Sequence, residues 1–256
     1  MGLSLRRLAV SAAMEHTTSF KVSSLSRSVA FYEGALGMKV LHRDDKAGGS
    51  ALLGFCETSM SGIELQQAAE GTPLVKGDAF VGLGVTAVDA LAHIRRSEQF
   101  GGKIVVPFET YGYGASIFPD EDEMLIKPVR YGCVEDPDGH TIEITEGVRS
   151  EPLRKVILSV LDLDETVAFY TDKVGMTLHR RRSNINSKPK HASICSFVSF
   201  ANTEDEGTML ELVYNYATER LNMGTSFVQI SVKGRTDSGC QKGEVQDPNS
   251  YQLLVL

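Results

Sequence analysis

The strings FYEGALGMKVL at residues 31–41 and FYTDKVGMTLH at residues 169–179 decide the fold, because they are two copies of one element. Phe31 and Phe169, Tyr32 and Tyr170, Gly37 and Gly175, and Met38 and Met176 match at a single offset of 138. The match runs backwards without a gap through Ala30/Ala168, Val29/Val167, Leu25/Leu163 and Val22/Val160. The local physics repeats with it. In residues 17–22, Thr18, Phe20 and Val22 alternate with Thr17, Ser19 and Lys21, which is the period of a half-buried strand. Leu25, Val29, Tyr32 and Leu36 then fall at helical spacing and make one apolar stripe. Ser23 or Ser24, and Asp162 in the second copy, suit the helix start. Gly37 and Gly175 suit a left-handed helix end. MKVLHR and MTLHRR follow as strands, and GIELQQ (62–67) and MLELVYNY (209–216) close the units, placing Glu64 and Glu211 at matching positions.

A second kind of unit follows the first. DAFVGLGVTAV (78–88) opens it as a strand, a helix is predicted near 89–100 with Gly101–Gly102 ending it, and KIVVPFE follows. VRYGCVEDPDGHTIEI reads as a hairpin in which Asp136-Pro137-Asp138-Gly139 forms a type I turn. GTSFVQISV (224–232) begins the same unit again, with Phe80/Phe227, Val81/Val228, Leu83/Ile230 and Val85/Val232 aligned. Gly82 to Glu143 spans 61 positions, whereas the matching Gln229 to Leu254 spans 25, so about 36 residues, a helix and two strands, are missing from the last unit. The expected division is an N-terminal extension over 1–15, a first domain over 16–147 and a second, truncated domain over 152–256.

Composition narrows the function classes. Of the 256 residues, 42% are hydrophobic, which supports a packed core. A formal net charge of −7 argues against a nucleic-acid partner. No apolar run approaches the roughly 20 residues that span a bilayer. Cys56, Cys133, Cys195 and Cys240 form no CxxC pair, which argues against a disulfide scaffold or a thiolate zinc site. A reducing compartment, the cytoplasm, is expected. MGLSLRRLAVSAAM carries Arg6 and Arg7 and no acid before Glu15, so a plastid or mitochondrial address is the alternative. The acidic run PDEDE (119–123) reads as a solvated loop.

Paired βα-plus-strands units with FYxxxLGM after the first strand and EDPDG before the last resemble the vicinal oxygen chelate superfamily. The nearest resemblance is to glyoxalase I (lactoylglutathione lyase) in its tandem plant and algal form, over about residues 16–256. That implies an α+β fold of tandem βαβββ modules forming cupped half-barrels, with the fourth module truncated. It also implies a divalent metal (Ni, Zn, Mn or Mg), glutathione as co-substrate, a small-molecule partner and a monomer or homodimer. The family's four ligand positions, His or Gln, Glu, His and Glu, carry over as Thr17, Glu64, Gln229 and Leu254 in one cup. In the other they carry over as Lys155, Glu211, Gly82 and Glu143. His16 lies one place before the first position and faces the opposite side of its strand.

The resemblance implies that Glu143 is the base that moves a proton within a glutathione–methylglyoxal hemithioacetal, giving S-lactoylglutathione. Glu211, Glu143, Glu64 and Gln229 are the implied metal ligands. Asn215, Lys127 and Arg130 are the implied contacts to glutathione. Two carboxylates with waters suit Mg²⁺ or Mn²⁺ better than Zn²⁺. Alternatively, Lys155 pairs with Glu211 and takes the metal's place. That alternative makes the chain a glyoxalase-fold binding or scaffold protein. The acids also have a plainer reading, as solvent-facing strand residues. A ring-cleaving dioxygenase, which needs two His and one carboxylate, lacks its histidines here.

Overall fold

A computed structural model describes residues 14–46, 48–112, 116–117, 128–183, 192–216, 218–234 and 242–256. The first module is β1 (His16–Val22), α1 (Leu25–Gly34), β2 (Lys39–Asp44), β3 (Ser50–Gly54) and β4 (Ser61–Gln67). The second is β5 (Phe80–Ala87), α2 (Ala90–Ser97), β6 (Lys103–Gly112), β7 (Ser116–Ile117), β8 (Pro128–Glu135) and β9 (Thr141–Glu146). The third is β10 (Leu153–Val160), α3 (Leu163–Ala168), which runs on as a π-helical turn over Phe169–Lys173, then β11 (Thr177–Ser183), β12 (Ser193–Ser199) and β13 (Met209–Asn215). The fourth is β14 (Phe227–Val232), β15 (Gly243–Gln246) and β16 (Gln252–Val255). Strands β15 and β16 take the places of β8 and β9, and among the described residues nothing between β14 and β15 corresponds to α2 or β6.

Helix starts and ends form where local chemistry favours them. The Ser24 side chain accepts from the Arg27 N–H, Asp89 from that of Ala92 and Asp162 from that of Glu165. Gly37 and Gly175 have φ of 74° and 82°, a region open to glycine without a Cβ clash.

The sheets do not follow the sequence copies. One has seven strands in the order β15-β16-β14-β1-β4-β3-β2, which joins the first module to the fourth. The other has nine, β6-β8-β9-β5-β10-β13-β12-β11-β7, which joins the second to the third. Both seams are antiparallel, β1 against β14 and β5 against β10. The β5–β10 seam has one bulge at Arg154, and both seams carry a one-residue bulge at the same position in the two copies, Val228 and Val81. The bulge lets Phe80 and Phe227 enter the core while residues two further on turn to the other face. Phe80 stacks at 5.5 Å from both Phe20 and Phe227, so one core lies between the two sheets. Each sheet's cup is the face turned away from that core.

What ties a copy to itself is a buried clamp in the helix layer. The Tyr32 hydroxyl on α1 donates to Asp136 at 3.0 Å, and Asp136 also accepts from the backbone N–H groups of Asp138 and His140. In the second copy Tyr170 donates to Asp247 at 3.2 Å, and Asp247 accepts from Asn249 and Tyr251. Asp138 receives the Ser23 N–H, as Asn249 receives that of Leu161. Among the exchanges between the copies, His140 becomes Tyr251. Burial pushes the Asp136 carboxyl up, but the His140 imidazole 3.0 Å away and the two N–H groups outweigh it, and the net shift is downward. At Asp247 burial prevails and the carboxyl is raised.

Replacing Asp136 strands a tyrosine hydroxyl, an imidazole and two amides inside the protein. Asp136→Ala should therefore cost about 2–4 kcal/mol in urea unfolding. A cost below about 1 kcal/mol would mean that the clamp is ornamental.

Candidate functional site

The cup of the nine-stranded sheet is built around Lys155 on β10. Its side chain is 2% exposed, and its Nζ lies 2.6 Å from Glu211 Oε2 and 3.0 Å from Glu143 Oε1. Glu211 is on the neighbouring strand β13. Glu143 is on β9, two strands away on the other side, with β5 between. The reach across β5 is possible because Gly84 stands there: a Cβ on Gly84 would sit 2.4 Å from the Lys155 Cγ and 2.6 Å from its Cε. A glycine is what such a close approach requires. Arg182 Nη2 on β11 donates to the other Glu211 oxygen at 3.1 Å. Thr145 donates to Glu143 Oε1 at 3.3 Å, and Arg154 Nη1 in turn donates to Thr145 at 3.4 Å. Cys195, Phe197, Met209 and the partly buried Val213 make an apolar floor beside the charges.

The electrostatics of this cluster close internally. Burial pushes the Glu211 carboxyl up, but the Lys155 ammonium and then the Arg182 guanidinium outweigh it and hold the group down at about 2. Burial, reinforced by the neighbouring acids, pushes Cys133 and Cys195 up to about 12, so both remain thiols and offer no thiolate.

The cup of the seven-stranded sheet is polar but differently built. Ser19 Oγ and Gln66 Nε2 both donate to Glu64 Oε2, at 3.0 and 3.1 Å. Gln229 Nε2 donates to Ser231 Oγ at 3.2 Å, and Leu254 stands opposite Ser231. Thr17 turns its hydroxyl to Met14 Sδ at 3.5 Å. His16 is buried on the opposite face of β1, bonded to Thr18 at 2.9 Å, and burial lowers its pKa to about 4.

Strand register fixes which residues face one another across each cup. The register pairs Gly84 with Glu143 on one side and Lys155 on the other, and pairs Ser231 with Leu254 and Thr17. Gly84 and Ser231 therefore stand directly opposite their neighbours in each cup, with Gly82 and Gln229 two residues along on the same strand face. The bulges at Val81 and Val228 set this register, and no sequence pattern marks a bulge. Gly82 has φ of 154° and its Cβ would collide with Thr141 O, so it answers to backbone geometry.

Of the residues singled out from sequence, Glu143 and Glu211 come together, and Glu64 shares a cup with Gln229. Asn215 ends β13, half-buried, with its carbonyl accepting from the Thr218 N–H. Arg130 lies on the face of β8 opposite Cys133 and Glu143. It pairs with Glu146 at 2.5 Å and lies over the Phe108 ring, so it is not a wall of the cup. Lys127 and the acidic run at 119–123 lie outside the described residues. Sequence reasoning missed Arg182 and Gly84. The run HRRRS announces charge but not which arginine turns inward.

The sequence matches the Glyoxalase/Bleomycin resistance protein/Dioxygenase superfamily over residues 14–144 and 153–239. The chain belongs to that superfamily. A putative lactoylglutathione lyase of Brassica oleracea var. gemmifera is 31% identical over 232 residues, 88% of this chain and 74% of that relative. The lactoylglutathione lyase GLX1 of Arabidopsis thaliana is 29% identical over 232 residues, 88% of this chain and 75% of that one. A probable chloroplastic lactoylglutathione lyase of the same plant is 29% identical over 218 residues, covering 83% of this chain but 57% of its own length. The crystal structure of glyoxalase I from Zea mays superposes with a TM-score of 0.74 at 23% identity, covering 93% of this chain and 90% of that one, which establishes the shared fold.

The superfamily's divalent centre does not fit the donors present. The nine-stranded cup offers two carboxylates, but a buried lysine stands between them and a glycine holds the third place. An ammonium has three donors and no lone pair to give a metal. The seven-stranded cup offers one carboxylate among hydroxyls, amides and a leucine. Among the described residues no cluster of three or more His, Cys, Asp or Glu is placed to hold a metal ion.

The lowered Glu211 pKa sets a pH window. A carboxyl at 4.5 when unfolded and about 2 when folded adds stability that is full above pH 4.5 and is lost as pH falls toward 2. The wild type should lose this increment through that window in urea unfolding, and Glu211→Gln should flatten the slope. Parallel profiles for the two proteins would show that the ion pairs do not carry the shift.

Proposed function

We propose that this chain is a glyoxalase-fold protein that works by binding and does not isomerise a metal-held substrate. The observation that carries the reading is the Lys155 ammonium between Glu143 and Glu211. Glyoxalase-type isomerisation needs a cation with open coordination positions to polarise two vicinal oxygens, and a free carboxylate to move the proton. Lysine supplies neither an open position nor a Lewis acid, and it commits the carboxylate that would serve as base. Its near-complete burial leaves no room at the centre for a diolate. The seven-stranded cup supports the binding role: Glu64, Gln66 and Gln229 are half-buried there and present amide and carboxylate groups to a polar small molecule.

A second reading is favoured by the relatives, which carry the name lactoylglutathione lyase. Under it Glu143 is the base and Glu211 a metal ligand, and Lys155 must leave the centre when a metal enters.

One experiment separates the two. The purified protein is assayed for metal by elemental analysis, and for turnover of the methylglyoxal–glutathione hemithioacetal with added Ni²⁺, Zn²⁺, Mn²⁺ or Mg²⁺. The binding reading predicts metal well below one equivalent and no product above the uncatalysed rate. Metal-dependent turnover that Glu143→Gln abolishes would establish the lyase.

A further inference from the structure

We infer that Lys155 is a built-in substitute for a divalent cation, fastening the seam between the two sequence copies at the centre of the nine-stranded sheet. The inference rests on the reading above for the wild-type cup, and it concerns what holds the sheet together.

Glu143 belongs to the second module, and Lys155, Glu211 and Arg182 to the third, so the Lys155–Glu143 pair crosses the seam between β5 and β10 while the other two pairs anchor the lysine within the third module. Two carboxylates converging on one point in a desolvated cup repel each other, and each loses hydration. Something positive must stand between them. A divalent cation would do this from outside the chain, and the ammonium does it from within. The Lys155 Nζ touches one oxygen of each carboxylate, and Arg182 takes the second oxygen of Glu211. Gly84 completes the device, because any side chain there would push the lysine stem away from the centre.

The other cup supplies an internal comparison. Thr17 holds the place of Lys155, Leu254 that of Glu143 and Ser231 that of Gly84, while Glu64 keeps the place of Glu211. Where the second carboxylate is gone, the lysine is gone with it. The ammonium occurs where two acids converge and not where the second acid is replaced by leucine, which is what a charge-matched substitute requires.

The consequence is a latent metal site that an uncharged residue at position 155 would open. Wild-type melting temperature should not respond to EDTA or to millimolar Mn²⁺ or Zn²⁺. Lys155→Gln leaves Glu143 without a cation and Glu211 with Arg182 alone, and should melt about 10 °C lower. Millimolar Mn²⁺ or Zn²⁺ should then return at least half of that loss, since an ion that binds only the folded state stabilises it. The double variant Lys155→Gln/Glu143→Gln, with one acid removed, should gain nothing from metal. Should Lys155→Gln fold poorly, it and Lys155→His are refolded with Co²⁺, and a visible d–d absorption band is expected from both. A Lys155→Gln protein as stable as the wild type, or one indifferent to metal, overturns the inference. So does failure of both variants to fold or to bind Co²⁺. Wild-type turnover would defeat the functional reading alone, and metal-indifferent melting of Lys155→Gln would defeat this inference alone.

Discussion

The structure turns on a buried ammonium set between two carboxylates at the middle of the larger sheet. Everything near it is arranged by that need. Glycine at 84 clears the path, Arg182 satisfies the remaining Glu211 oxygen, and Cys133 and Cys195 are kept protonated by burial. Ion pairs of this kind are stabilising only when complete, because removing one partner leaves the others buried and unmatched. The cluster is therefore a closed unit, and closure is what sets it apart from a catalytic metal centre, which keeps a position open for substrate.

The same need bears on how the chain is assembled. Each sequence copy is tied to itself through the helix layer, by Tyr32 to Asp136 and by Tyr170 to Asp247. Each sheet is instead made from both copies. Helix-layer clamps and sheet seams thus run crosswise, and no module can leave without breaking one of each. The shortened fourth module keeps the elements that this scheme uses. Strand β14 provides the seam to β1, while the Asp247 turn and β16 provide the clamp and a pairing edge. What it lacks, among the described residues, is a counterpart to α2 and β6, which lie outside the seam in the second module.

Much of this was legible in the sequence, and the boundary has a physical cause. Duplication, the helix caps and the glycine helix ends are local properties, and they appear in the structure as read, whereas the strand at 17–22, read as half-buried, is buried on both faces except at Lys21 because its second face lines a cup. The opposite facing of His16 and Thr17 followed from strand period alone. The pairing of Lys155 with Glu211 was visible as an alternative because both fell on ligand positions. Register across a bulged seam was not legible, since one extra residue at Val81 or Val228 shifts the pairing by one and turns the residues beyond it to the other face. In FVGLGV two glycines stand two apart, and nothing local distinguishes them. Arg130 was misplaced because its assignment came from family likeness, whereas strand alternation from Glu143 through Cys133 puts it on the other face.

Anomalous diffraction from crystals soaked in Mn²⁺ or Zn²⁺ at neutral pH tests whether the Lys155 ammonium fills the place of a metal. No anomalous peak is expected between Glu143 and Glu211, with electron density for the Lys155 side chain ending at hydrogen-bond distance from both. A strong peak within coordination distance of the two carboxylates, with Lys155 displaced, would contradict that role.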